Sequence, residues 1–386
     1  MKKIIKNFIK RNKKIRYIVE IIYFIVKMKL KINPLNKKYP KVIQLPITQK
    51  CNSKCIMCNI WKMNKLKNGN IDEFEKFIND NIFKEVEFIG INGGEPSLVE
   101  NLEEYIDLMI KNLKNLKGIN LISHGFNTDI LLEKLKKIYS ICKKNNIHFS
   151  IIISLDGVGE IHNKVRGKKV FNKTLHSILT IKNNKSKYCD EISLRCTLSR
   201  YNIEYWKEVD AFAKMLGLNI EYGLAVGIKR IDNLSIYNDF SIFNSDKYIQ
   251  IAKELFFSKY VATKNIYNKF KYYSLLYYLQ YRKRILGCSW QNRDITLDSE
   301  GNIYYCAVES KKLGNLLEQN GENLFFSKEN LEYRKWIYEN KCSTCIHDYV
   351  GDITLKNGLL FIRELLFDRF WILQYKLRLF YLRIMQ

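Results

Sequence analysis

Seven of the ten cysteines in this 386-residue chain fall into two constellations whose spacing suits metal chemistry. The first is Cys51-x-x-x-Cys55-x-x-Cys58. Thiolates are the standard ligands of iron–sulfur clusters, and close spacing on one loop lets them wrap a single cube. Three ligands for four irons leave one iron open, and an open coordination position is where a substrate or cofactor binds. A zinc site is the competing reading of the same residues. The second constellation is Cys288, Cys306, Cys342 and Cys345, in which Cys342-Ser343-Thr344-Cys345 is a tight pair. Four thiolates saturate a cluster or a zinc ion, and by spacing alone zinc leads. Cys142 shares a helical face with Ile138 and Ile141 and reads as a small buried residue.

These residues need elements to hold them. Six short β-branched or apolar runs, at 42–47, 86–91, 119–123, 149–154, 192–198 and 220–226, read as strands. Helical patterns at 71–82, 102–113, 129–145, 171–182 and 205–216 lie between them. Parallel neighbours need helical crossovers, so six βα repeats imply a parallel sheet that curls into an incomplete barrel. Its active site belongs at the C-terminal strand ends, and the first cysteine loop follows the first strand there. The expected class is therefore α/β, with an incomplete (β/α)6 barrel over 41–229. A Tyr- and Phe-rich helical linker covers 230–286 and a small module covers 287–350. Within the module, residues 294–297 and 303–306 flank Asp298-Ser299-Glu300-Gly301-Asn302, a hairpin signal.

Both ends read as amphipathic helices. Residues 1–40 alternate apolar and basic positions, with Pro34 ending the helix. Residues 351–386 are apolar and aromatic with spaced cations at Arg363, Arg369, Lys376, Arg378 and Arg383, too interrupted by charge to span a bilayer. Arginines beside Trp371, Phe380 and Tyr381 suit an interfacial helix. A helix packed on the protein body is the plainer reading of each, and the two are compatible. Net charge is +26, which favours anionic partners such as acidic redox proteins, phosphorylated substrates or anionic lipid. The general richness in Lys, Asn and Ile accounts for part of that charge. With no export signal and clustered cysteines, the expected location is cytoplasmic, peripheral on the inner face of the membrane. No Walker, Rossmann or His-Glu-x-x-His signature is present, and no nucleic-acid partner is expected.

The segment Cys51-Asn52-Ser53-Lys54-Cys55-Ile56-Met57-Cys58-Asn59-Ile60-Trp61 resembles the core motif of the radical S-adenosylmethionine (SAM) superfamily. The resemblance implies that Cys51, Cys55 and Cys58 hold a [4Fe–4S] cluster whose open iron chelates SAM. Reduced, the cluster cleaves SAM to methionine and a 5′-deoxyadenosyl radical that takes hydrogen from substrate. Ile91-Asn92-Gly93-Gly94-Glu95-Pro96 is similar to the superfamily's GGEP motif, whose backbone receives the SAM amino group. Met57 stands where an aromatic often covers the adenine, and its thioether can still contact a ring. The run from Ser154 to Arg166 resembles that of members with an extra cluster domain. It implies Ser154 and His124 near the SAM ribose and Arg166 at the methionine carboxylate, with Asp156 as a turn residue.

Gly287-Cys288, the hairpin with Gly301, Cys306, Leu313-Gly314-Asn315-Leu316 and Cys342-x-x-Cys345 resemble the twitch module, the short form of the SPASM domain. That likeness favours one auxiliary [4Fe–4S] cluster with four cysteine ligands over zinc. The cysteine plan is similar to that of 2-deoxy-scyllo-inosamine dehydrogenase. It implies oxidation of a carbohydrate or cyclitol-type small molecule, sugar-linked and anionic, with a flavodoxin or ferredoxin-type reductant. The rivals are a maturase or epimerase of a ribosomal peptide, for which Cys196 is the candidate hydrogen donor, and a non-catalytic assembly or sensor protein.

Overall fold

The structure is a computed structural model that describes residues 13–63 and 69–366. The outer parts of the expected terminal helices, 1–12 and 367–386, lie outside the described residues. Helix α1 is Lys13–Val26. A βα alternation then runs β1 (Val42–Thr48), α2 (Ile71–Ile78), β2 (Phe88–Gly93), α3 (Leu102–Asn112) and β3 (Gly118–Ser123). It continues through α4 (Thr128–Lys144), β4 (His148–Ser154), α5 (Glu160–Arg166), α6 (Phe171–Asn183), β5 (Glu191–Leu198), α7 (Trp206–Met215) and β6 (Ile220–Leu224). Two longer helices follow, α8 (Asp246–Ala262) and α9 (Ile266–Tyr281), and then β7 (Ile295–Leu297), β8 (Asn302–Tyr304) and β9 (Gly314–Asn315). Helices α10 (Lys328–Asn340) and α11 (Leu355–Leu366) complete the described chain.

Neighbours β1 to β6 pair in parallel, as the crossovers require. Alternate side chains leave opposite faces of a strand. One face here is apolar and buried: Ile43, Leu45, Ile47, Ile89, Ile91, Ile119, Leu121, Phe149, Ile151, Ile153, Leu194 and Leu198. Truncating any one of these to Ala costs about 2–5 kcal/mol, because close-packed surroundings relax only partly around the hole. The other face carries Gln44, Gly90, Asn92, Asn120, Ser150, Ser154, Arg195 and Thr197, which makes it the polar side on which chemistry can be placed.

The module does not stand apart from this sheet. Strand β7 pairs in parallel with β1, through Ile43 with Ile295 and Gln44 with Thr296. The order among the described residues is β6-β5-β4-β3-β2-β1-β7-β8-β9, with β8 antiparallel to both β7 and β9. The expected hairpin is therefore present, and its first strand extends the barrel sheet.

Two compact units divide the chain. One is Pro34–Ala252 with Trp290–His347 and holds the whole sheet. The other comprises the described parts of Met1–Asn33, Lys253–Ser289 and Asp348–Gln386. In this second unit Phe24 of α1 is buried among Tyr267, Phe270 and Phe361, with ring centroids 5.4, 5.5 and 5.6 Å away. Helix α1 stops at Val26 rather than at Pro34. Lys29 instead bridges Thr354: its N–H donates to the Ile353 carbonyl (2.8 Å), and its own carbonyl accepts from the Leu355 N–H (2.7 Å). The N- and C-terminal helices are thus tied together through α1 and α11.

Candidate active site

Backbone contacts pin the loop that bears Cys51, Cys55 and Cys58 from two sides. On one side is the turn after β2. Gly93 has φ +133°, and a Cβ added to Gly94 would lie 2.1 Å from the Lys50 carbonyl oxygen. Only glycine permits that approach. It lets the Gly94 N–H donate to the Thr48 carbonyl (2.6 Å) and the Glu95 N–H to the Lys50 carbonyl (2.8 Å). On the other side is the C-terminus of α5. The Lys54 and Ile56 N–H groups donate to the Arg166 and Val165 carbonyls (3.0 and 3.1 Å), and Gly167 (φ +66°) lies too close to the Lys54 carbonyl for any side chain.

The three thiols are partly buried. Burial, with negative charge at Cys55 adding to it, pushes Cys51 up to about 12 and Cys58 up to about 11. Ligation needs thiolates, so loading a metal centre here releases protons. Cys55 is served for that state: the Ser53 hydroxyl lies 3.0 Å and Arg166 Nη1 3.6 Å from its sulfur. Arg166 is held there by Asp156, whose Oδ2 is 2.7 Å from Nη2. Asp156 is fully buried, and its Oδ1 accepts the Thr197 N–H (2.8 Å). It reads as a turn residue in the sequence. The structure makes it the counter-ion of a guanidinium that reaches the cysteine loop. The pairing signal was an acid just past β4 and a cation ten residues on.

The other expected SAM-side residues divide. Ser154 lies on the polar face at the carboxyl end of β4. Glu95, by contrast, has its carboxylate occupied: it accepts from the Ser123 hydroxyl (2.6 Å), the His124 N–H (2.9 Å) and the Ser97 N–H (3.2 Å). It locks the β2 and β3 loops together, and Pro96 begins the short turn that it caps. His124 stacks on Phe126 (3.7 Å between centroids), accepts the Phe126 N–H at Nδ1 and contacts Asn52 Oδ1 through Nε2 (2.6 Å). Burial lowers its pKa to about 4, so it is a neutral strut under the cysteine loop, with both ring nitrogens engaged by protein groups. Met57 is buried against Val165, Ala225 and Phe240. Cys196 lies on the buried apolar face of β5, opposite to Arg195 and Thr197, so the structure does not bring this thiol to the polar side where a hydrogen donor would work.

In the module, Cys306 is pushed up by burial, while the Glu309 N–H donates to its sulfur (3.4 Å) and charge at Cys345 acts on it. Cys342 and Cys345 share a tight turn closed by the Cys345 N–H on the Cys342 carbonyl. Cys288 belongs to the second compact unit, where the Ser289 N–H donates to the Val350 carbonyl (3.2 Å) and Gly351 packs against the Cys288 backbone. Among the described residues no disulfide forms, and no group of three or more His, Cys, Asp or Glu is gathered tightly enough for a single metal ion. A four-iron cube gives each thiolate its own iron and so spaces them more widely. Three thiols on one pinned loop, with a guanidinium at one sulfur and a glycine cradle alongside, fit a cluster with three protein ligands.

The family model of the radical SAM superfamily matches residues 45–213, and that of the SPASM iron–sulfur cluster-binding domain matches 288–346. The chain carries a radical SAM domain followed by a SPASM domain. Its cofactors are SAM and a [4Fe–4S] cluster, with auxiliary iron–sulfur binding in the SPASM domain. A probable GTP 3′,8-cyclase of Methanococcus maripaludis is 38% identical over 96 residues, 24% of this chain and 31% of the relative. The chain thus spans less than a third of that relative's length. Among solved structures, anSMEcpe with bound AdoMet and the Kp18Cys peptide is similar at TM-score 0.56 and 20% identity, over 86% of this chain and 98% of that one. Streptococcus suis SuiB bound to S-adenosylmethionine is similar at TM-score 0.51 and 12% identity, over 77% and 68%. At these identities the likeness is one of fold.

Proposed function

We propose that this enzyme oxidises an alcohol carbon of a carbohydrate or cyclitol-type small molecule by two electrons. The carrying observation is the four-cysteine module whose hairpin pairs with the first barrel strand, since a fully ligated second cluster has electron transfer as its natural task. When bound, SAM and the first cluster supply a 5′-deoxyadenosyl radical. The carbinol hydrogen leaves as an atom to that radical, giving 5′-deoxyadenosine. The hydroxyl proton leaves to solvent, and the remaining electron passes to the auxiliary cluster, leaving a C=O bond. The chain's own part is positional. Gly93 and Gly94 hold the cofactor loop against the cysteine loop, Asp156 and Arg166 brace Cys55, and the polar sheet face receives substrate. Cys51, Cys55 and Cys58 hold the first cluster in this reading, and Cys288, Cys306, Cys342 and Cys345 the single auxiliary one.

The test is anaerobic reconstitution followed by iron counting and a dithionite-driven 5′-deoxyadenosine assay. About eight irons are expected in wild type, and about four without 5′-deoxyadenosine in the Cys51→Ala/Cys55→Ala/Cys58→Ala variant. About four irons plus one zinc in wild type would remove the electron acceptor and with it the dehydrogenase reading. A peptide-modifying reaction would then lead. The same reading includes membrane-surface association of the terminal helices, argued below.

A further inference from the structure

We propose that the polar sheet face where β2, β1 and β7 meet is a binding site for a hydroxyl-bearing ring of the substrate. The proposal deepens the dehydrogenase reading, on which it rests only for the substrate being an alcohol. Gln44 of β1 pairs with Gly90 of β2 and with Thr296 of β7, so the three share one level and one face. Asn92 lies one level further along β2 on the same face, paired with Pro46. Gln44 Oε1, Asn92 Oδ1 and Thr296 Oγ1 are all buried, and none has a hydrogen-bond partner among the described residues. Thr296 is fully buried. Proteins satisfy nearly all such atoms, so three on one patch need a reason. On the next two strands at the same level, by contrast, the polar groups pair with each other: Asn120 Nδ2 donates to Ser150 Oγ (2.8 Å).

Space is present as well. A Cβ added to Gly90 would meet nothing within 4 Å. Glycine within a strand weakens it, and one reason to keep it is the close approach of a ligand. Two carboxamides and one hydroxyl beside an opening both accept and donate hydrogen bonds, which suits the hydroxyls of a sugar or cyclitol ring, each also donor and acceptor. Because Thr296 belongs to the SPASM domain, that domain contributes a substrate contact and not only a cluster.

Two measurements on the reconstituted protein test this. Thr296→Val removes the hydroxyl and keeps the shape. If that hydroxyl is unsatisfied in the ligand-free protein, its melting temperature rises by about 2 °C; a fall means that the hydroxyl already has a partner and overturns the proposal. Equilibrium dialysis with SAM present then uses labelled myo-inositol and glucose as probes. Wild type is expected to retain at least one of them, and Thr296→Val and Gly90→Leu to bind it about tenfold more weakly, with iron content equal to wild type as the control for folding. Equal retention by the variants, or retention of neither neutral probe by wild type, overturns it. Failure of wild type to form 5′-deoxyadenosine would instead sink the reaction reading, while the dialysis still reports on the site.

Discussion

His124 and His162 are the residues whose chemistry the fold changes most plainly. Both are buried and neutral, and burial lowers their pKa values from 6.5 to about 4 and about 3. His162 accepts the Asp156 N–H at Nδ1 (3.2 Å), so it steadies the acid that holds Arg166. In the unfolded chain each imidazole takes a proton below about pH 6.5, while the native rings stay neutral until pH falls to their own lower values. Between those limits the unfolded state binds more protons, so stability is full above pH 6.5 and declines as pH falls, by up to about 1.4 kcal/mol per pH unit for each ring. The urea midpoint of the apoprotein should therefore be lower at pH 5 than at pH 7. His162→Gln should flatten that dependence by about half, and an unchanged slope would mean that the ring is solvated. A sequence shows that His124 ends a strand. It does not show that Asn52 and Phe126 converge on its two nitrogens, because those contacts come from separate loops.

Among the elements, the turn after β2 carries the cofactor argument. Gly94→Ala would place a methyl 2.1 Å from the Lys50 carbonyl oxygen, a rigid backbone atom that leads directly into Cys51. Overpacking of this kind costs about 1–3 kcal/mol, and here the strain is relieved by moving the cysteine loop. The variant should keep wild-type circular dichroism yet reconstitute with about half the iron. Gly90→Ala, where the added methyl meets nothing, should reconstitute fully. Equal iron in both variants would show that the glycine cradle does not position the first cluster. This turn and the six parallel strands were legible in the sequence, since β-branched runs and glycine pairs are local signals. Strand β5, for instance, departs from its expected span only by starting at Glu191. Helix α5 was not legible: seven residues between Gly159 and Gly167, both at positive φ, carry too short a pattern. The pairing of β7 with β1 was not legible either, because three residues joining a strand some 250 positions away leave no periodic trace. That missed pairing is what makes the two domains one sheet.

For the molecule as a whole, charge and exposed apolar surface point the same way. The chain carries +26, and α1 with the segment after it exposes Ile22, Tyr23, Val26 and Leu30 beside Lys27, Lys29 and Lys31. Phe24 points inward to its aromatic cluster, so this helix is apolar on its outer side as well as its inner one. No helix among the described residues is long and apolar enough to cross a membrane. Apolar side chains ringed by lysine suit the surface of an anionic bilayer, where each cation near the surface contributes about 1 kcal/mol and the apolar groups add their burial. The protein should cosediment with phosphatidylglycerol-containing vesicles at low salt and much less with phosphatidylcholine alone. Raised salt should weaken the association, because surface charge is screened within a Debye length. Ile22→Asp with Val26→Asp should reduce binding by about tenfold or more while leaving the buried Phe24 cluster in place. Wild-type protein remaining in the supernatant with anionic vesicles at low salt would sink the idea. The exposed face of α1 would then need another occupant, and the net charge would stand as lysine-rich composition alone.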